Sequence, residues 1–112
     1  MHGLAHGAYR ATAGRRTQKE QDADVFRRAN AALRQAVGAD EIVQIRALAD
    51  NSTLWTAVID LLRDQDNPLP PALKGSMISV GLTVQREMRA PKPDFAFLIG
   101  INDQIAAGLA GV

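Results

Sequence analysis

The chain is predicted to be all-α, a compact bundle of about five helices around a central helix near residues 70–89. Three observations carry that expectation. Apolar residues recur at spacings of three and four along most of the sequence, whereas no stretch keeps the strict alternation of a half-buried strand. The breaks between these stretches are short and carry helix punctuation: a glycine after one stretch, prolines before and after another, and aspartates placed to cap. At 112 residues the chain is long enough to bury one core and too short for two, and no repeat of 20 to 50 residues interrupts it.

Taken in order, residues 1–16 are glycine-rich without apolar periodicity and read as a flexible N-terminal arm, with Tyr9 its one large apolar side chain. The rest, 17–112, reads as a single all-helical domain. Thr17 and Glu20 have the spacing of a capping box, so helix one should begin near Gln18. Val25, Phe26, Ala29, Leu33, Ala36 and Val37 then mark one apolar side, and Gly38 supplies the stop. Asp40 can cap a second helix carrying Ile42, Ile45 and Leu48. Asn51 can cap a third carrying Leu54, Trp55, Val58, Ile59, Leu61 and Leu62. Pro70 or Pro71 suits the first turn of a fourth helix, which Pro91 and Pro93 force to end near Arg89. Asp94 caps the last helix, whose apolar residues are Phe95, Leu98, Ile101, Ile105 and Leu109, with Asn102 the polar exception among them. A buried amide with its hydrogen bonds made is the expected role of Asn102.

The fourth of these helices is expected to be the hub because it is apolar on two opposed sides. Leu69, Leu73, Met77, Val80, Val84 and Met88 form one strip and Ile78 with Leu82 the other, separated by small residues such as Gly75, Ser79 and Gly81. Two apolar sides need two covers, and the second could be a partner. The expected core is Phe26, Leu33, Ile45, Leu54, Trp55, Leu62, Leu73, Val80, Val84, Leu98 and Ile105.

Composition excludes several kinds of chemistry. With no cysteine there is no disulfide, thiol nucleophile or thiolate metal site. His2 and His6 have a metal-gripping spacing only if helical, and no third ligand is near; Asp64, Asp66 and Asn67 open like a calcium loop that Pro68, Leu69 and Gly75 then spoil. Asp60 and Asp64 share a helix face, but solvated surface is the plainer reading of both. No catalytic constellation, cofactor site or metal site is expected. No 18-residue apolar run and no signal-like start is present, so no membrane contact is expected and the location is read as cytoplasmic.

Charge is uneven although the net is only +1. Residues 1–38 hold 7 Lys and Arg against 3 Asp and Glu, whereas residues 39–66 hold 2 against 6. The acidic middle argues against a helix-turn-helix entering a DNA groove, since phosphate neutralisation comes first. A basic-arm contact with RNA through Arg10, Arg15, Arg16 and Lys19 remains the alternative.

Several fragments, in order, resemble the flagellar regulator FlaF family. They are Ala8-Tyr9, Asn51-x-x-Leu54-Trp55, Leu69-Pro70-x-x-Leu73, the run Met77-Ile78-Ser79-Val80-x-Leu82, Asp94-Phe95, and Leu98-Ile99-x-Ile101-Asn102-x-x-Ile105 with Gly108-Leu109. Thr83 departs from the pattern, since the family often places an aromatic residue soon after the Ile-Ser run. The resemblance implies a cytoplasmic protein that binds flagellin, as a secretion chaperone or as a regulator coupling flagellin synthesis to export, in concert with the flagellin-messenger repressor FlbT. Flagellin's terminal segments are amphipathic helices, and a helical domain with an apolar strip to spare can accept one. On that reading Ile78, Leu82, Met88 and Phe97 are the candidate partner contacts; the alternative is post-transcriptional control of flagellin message through RNA binding by the basic arm.

Overall fold

The computed structural model describes residues 4–110, with side chains described from Gln18 onward. Within them lie four α-helices: α1 (Leu4–Ala36), α2 (Glu41–Arg63), α3 (Pro71–Met88) and α4 (Phe95–Ala110). The all-α class holds, and the number of helices is corrected from five to four. The expected second and third helices are one, because Asn51 turns its side chain into the core, where it is fully buried, and leaves the backbone helical. The stripe Ala47, Asn51, Trp55, Ile59, Leu62 runs through the expected break without a change of register.

The start of the first helix is corrected as well. Thr17 to Glu20 lies inside α1, whose backbone is helical from Leu4. Alanine, arginine, glutamine and lysine between Ala5 and Lys19 all propagate a helix well, so the box residues continue one already begun. Met1 to Gly3 and the side chains through Thr17, Tyr9 and both histidines among them, lie outside the described residues. At 33 residues α1 is about 50 Å long, which accounts for overall dimensions of 56 × 33 × 20 Å.

The stops fall where the sequence put them. Gly38 takes φ +73°, a left-handed conformation open to glycine, and Gln44 Nε2 donates to the Ala36 carbonyl at 3.2 Å to close the end of α1. Pro70 and Pro71 open α3. The Asp94 carboxylate accepts from the Phe97 N–H at 3.0 Å and caps α4, while the Glu87 carboxylate accepts from the Asp94 N–H at 2.9 Å.

The hub is α1 with α2, not the helix at 70–89. α1 packs on α4 and on α2, and α2 carries α3 on another side. α3 lies at the edge and buries only Gly81 and Val84. The reason is geometric: a carbon at Gly81 Cβ would stand 2.8 Å from Ile59 Cγ1 and 3.3 Å from Trp55 Cε3, so the small residue lets α2 approach closely on one side alone. Leu73 and Leu82 stay exposed. Elsewhere the core is formed by Ala23, Phe26, Leu33 and Ala36 of α1, Ala47, Trp55, Ile59 and Leu62 of α2, and Leu98 and Ala106 of α4. Of the expected core, Leu54, Val80 and Ile105 are half-buried at its margin, and Ile45 and Leu73 face outward.

Candidate functional site

Three asparagines from three different helices are fully buried, Asn30, Asn51 and Asn102. Each occupies a position of its helix's apolar stripe, four residues from a buried neighbour: Asn30 after Phe26, Asn51 after Ala47, Asn102 after Leu98. Trp55 Nε1–H donates to Asn102 Oδ1 at 2.8 Å, Asn102 Nδ2 donates to Asn51 Oδ1 at 2.7 Å, and Asn51 Nδ2 donates to Met88 Sδ at 3.2 Å. This relay ties α2 to α4 and to the end of α3. Asn30 Nδ2 donates to the Ile99 carbonyl and to Asp103 Oδ1, which fixes α1 against α4. The amides of Asn51 and Asn102 have both their oxygen and their nitrogen engaged, so a slip of α2 against α4 would strand a buried donor or acceptor, whereas Asn30 Oδ1 is buried without a partner. The wall of this interior is apolar, and Phe26 meets Trp55 edge-on with centroids 5.8 Å apart.

Around that fixed interior the surface opens in several places, three of which bear on the site. A cleft of about 660 Å³ lies between α2 and α3 and is lined by Ile45, Leu48, Ser52, Thr56, Gln85 and Arg89 among others. Its polar groups largely engage one another: Gln85 Nε2 donates to Thr56 Oγ1 at 3.0 Å and to the Ser52 carbonyl at 3.2 Å, and Ser52 Oγ donates to Gln85 Oε1 at 3.1 Å. A shallow groove of about 200 Å³ separates α3 from α4, with Ser79, Val80 and Thr83 facing Phe97 and Ile101. The third, about 300 Å³, draws on all four helices, with Val25 of α1, Leu54 and Leu61 of α2, Met77 of α3, and Ile105 and Leu109 of α4 in its walls. Its lining is almost wholly carbon. Volume alone favours the α2–α3 cleft, but a partner entering there would have to displace hydrogen bonds already made, so the carbon-lined groove is the better candidate.

The four residues singled out from the sequence do not converge on one surface. Ile78 and Leu82 share a side of α3, the first half-buried and the second 44% exposed. Phe97 lines the α3–α4 groove from α4, about 100° around α3 from Ile78 as judged by Ser79 across from it. Met88 is half-buried, accepts the Asn51 hydrogen bond and also lines the α2–α3 cleft, so it joins the interior relay to that opening. Leu61 and Val25, at 65% and 38% exposure, form the carbon-lined groove, and reading both as ordinary core-facing positions of their helices concealed them. The excess of apolar positions on α2 was the available signal: Leu61 and Leu62 are adjacent and cannot both face inward.

Asp64 and Asp66 close a turn: Asp64 Oδ1 accepts from the Asp66 N–H at 2.9 Å. Asp60 is exposed. Among the described residues no three of His, Asp and Glu are grouped to hold a metal ion, and no helix is long and apolar enough to cross a membrane.

A register-locked four-helix domain with a carbon-lined groove open to solvent is the class that this fold and site define. The chain belongs to the family described as flagellar protein FlaF, whose sequence pattern matches residues 5–109, and it is a flagellar protein. The match runs through every fragment from Ala8 to Leu109 on which the resemblance was drawn. No curated protein and no solved structure matches the chain.

Proposed function

We propose that the chain binds flagellin in the cytoplasm and couples flagellin synthesis to export during flagellum assembly, as a secretion chaperone or regulator that acts by binding and not by catalysis. Family membership supports the flagellar process. The single observation that supports binding is the carbon-lined groove, which leaves large apolar side chains in water at a place shaped by all four helices. Exposed apolar surface gathered in a concavity is costly to keep unless something covers it. An amphipathic helix that must be kept from polymerising has the complementary need, and one such helix satisfies both. The messenger repressor FlbT enters this reading as a second partner that acts in concert with the chain.

The test is co-purification. A tagged chain expressed in cells blocked in flagellar export should bring down flagellin, and the two purified proteins should form a complex on mixing. Failure of purified flagellin to bind would overturn the reading. Capture of message instead, with affinity falling steeply as salt rises and as Arg15 and Arg16 are removed, would replace it with the RNA-binding alternative.

A further inference from the structure

The uneven charge of the sequence returns in the fold as the two banks of one furrow. The carbon-lined groove runs on between α1 and α2 into a further opening of about 230 Å³, since Val25 and Leu54 line both. The two helices are joined by a short turn and bring Phe26 against Trp55, so they run antiparallel and face each other along the furrow. The α1 bank belongs to the basic part of the chain, 7 Lys and Arg against 3 Asp and Glu over residues 1–38. The α2 bank belongs to the acidic part, 2 against 6 over residues 39–66. Arg28 and Asp50, both exposed, line the further opening from opposite banks. Neither is ion-paired among the described residues, where the ion pairs are Arg27 with Asp24 and Arg34 with Asp103. Counting equally from Phe26 and Trp55, Lys19 on α1 stands level with the stretch of α2 that carries Asp60 and Asp64. Asp22 and Arg63 reverse the pattern at that end, an acid on the α1 bank and a base on α2. Both signs therefore rim the furrow, and its floor stays in water: Leu61 is 65% exposed and Val25 38%. Val43, 39% exposed, lies on the same line of α2 as Leu61, a whole number of turns away.

We infer that a second copy of this chain closes the furrow, as a weak two-fold dimer that flagellin displaces. A surface with opposite signs on its opposite banks is complementary to itself, which is what a two-fold contact requires. An axis along the furrow exchanges the banks without shifting the level, and so lays α1 of each copy on α2 of the other. Arg28 then meets the partner's Asp50, and Lys19 meets the partner's Asp60 and Asp64, each pairing occurring twice. The same exchange sets Asp22 and Arg63 at one end of the contact, acid against base. Leu61 supplies the apolar knob and the groove supplies the hole, so each copy covers the carbon that the other leaves in water. At a net charge of +1 two copies repel each other little at long range. Displacement by flagellin rests on the flagellin-binding reading; the pairing of copies does not.

Sedimentation of the full chain across a concentration series, from low to high micromolar, tests the pairing. Monomer should give way to dimer with a dissociation constant on the order of 10 μM or weaker, as suits a contact confined to one furrow. Leu61→Asp, at an exposed position compatible with folding, should weaken the dimer by at least about tenfold. Arg28→Glu and Asp50→Arg each set like charges together at two points of the contact, and each should weaken self-association as much. Mixed, these two variants should pair with each other, because the altered positions then meet with opposite sign. Should Leu61→Asp misfold by circular dichroism, the charge variants, both at exposed positions, decide alone. Leu82→Asp on α3 should change nothing. A chain that stays monomeric throughout, a dimer that the furrow variants leave untouched, or mixed charge variants that fail to pair overturns the inference. Purified flagellin added to the dimer should release one copy and leave a complex with a single copy of the chain; a complex that keeps both copies overturns the displacement. If wild type binds no flagellin the flagellin reading falls, and sedimentation of the chain and its variants still decides the dimer.

Discussion

Replacing Asn102 by alanine tests the interior relay directly. The substitution removes the acceptor of the Trp55 Nε1–H, now held at 2.8 Å, and the donor that reaches Asn51 Oδ1 at 2.7 Å. Both groups belong to side chains at or below 1% exposure, so neither can turn to bulk water. An unsatisfied buried polar group costs about 1–3 kcal/mol, which puts the sum at roughly 2–6 kcal/mol. A water entering the space left by the amide would recover part of it, so the expected loss is about 2–4 kcal/mol, a large share of the roughly 5–15 kcal/mol that a domain has. Urea unfolding followed by tryptophan fluorescence measures it, with the midpoint falling and the slope unchanged. A cycle with Trp55→Phe isolates the hydrogen bond. In the phenylalanine background the indole donor is already gone, so Asn102→Ala should cost about 1 kcal/mol less than in wild type. A loss under about 0.5 kcal/mol for the single variant, or strict additivity in the cycle, would refute the claim that this amide holds α2 to α4.

Other substitutions follow from the same packing. Trp55→Ala, which empties a fully buried site beside Phe26, should cost about 3–5 kcal/mol in urea or thermal unfolding. Gly81→Ala gains about 1 kcal/mol of helix propensity but drives a methyl to 2.8 Å from Ile59 Cγ1, and overpacking of about 1–3 kcal/mol makes the net change destabilising. Gly75→Ala in the same helix meets no atom and should raise stability by up to about 1 kcal/mol, so a like sign for the two would contradict the account of why α3 sits at the edge. Arg34→Ala removes a 2.7 Å ion pair with Asp103 in which both side chains are about half exposed, and unfolding should register no more than about 0.5 kcal/mol.

Helical periodicity made the fold class legible, and Gly38, Pro70, Pro71 and Asp94 marked the ends correctly because each acts through its own backbone or its nearest neighbours. The errors all arose where a residue's role depends on tertiary partners. Asn51 has the chemistry of a cap, and only its place four residues after Ala47 and four before Trp55 showed that its amide could be spent inside the core. The same stripe logic reads Asn30 and Asn102 as interior groups, and for Asn102 it succeeded. Thr17 and Glu20 formed a local signature of a helix start, but the backbone is already helical from Leu4. Two apolar strips on α3 suggested a hub, but strips report what can be buried and not how many neighbours arrive. Gly81 admits one close neighbour, and Leu73 and Leu82 remain in water. For the same reason Ile78, Leu82, Met88 and Phe97 scatter over a helix flank, the α2–α3 cleft and a shallow groove. The carbon-lined groove is built from four helices at once, so no single stretch of sequence displays it.

Calorimetric titration of purified flagellin into the full-length chain at several temperatures tests the central claim most directly, because burying apolar surface leaves a negative heat-capacity change that charge pairing alone does not produce. The account expects a stoichiometric complex with a clearly negative heat-capacity change, reduced in Leu61→Asp. Flagellin that evolves no binding heat at any of the temperatures, or that binds with a heat-capacity change near zero, would contradict it.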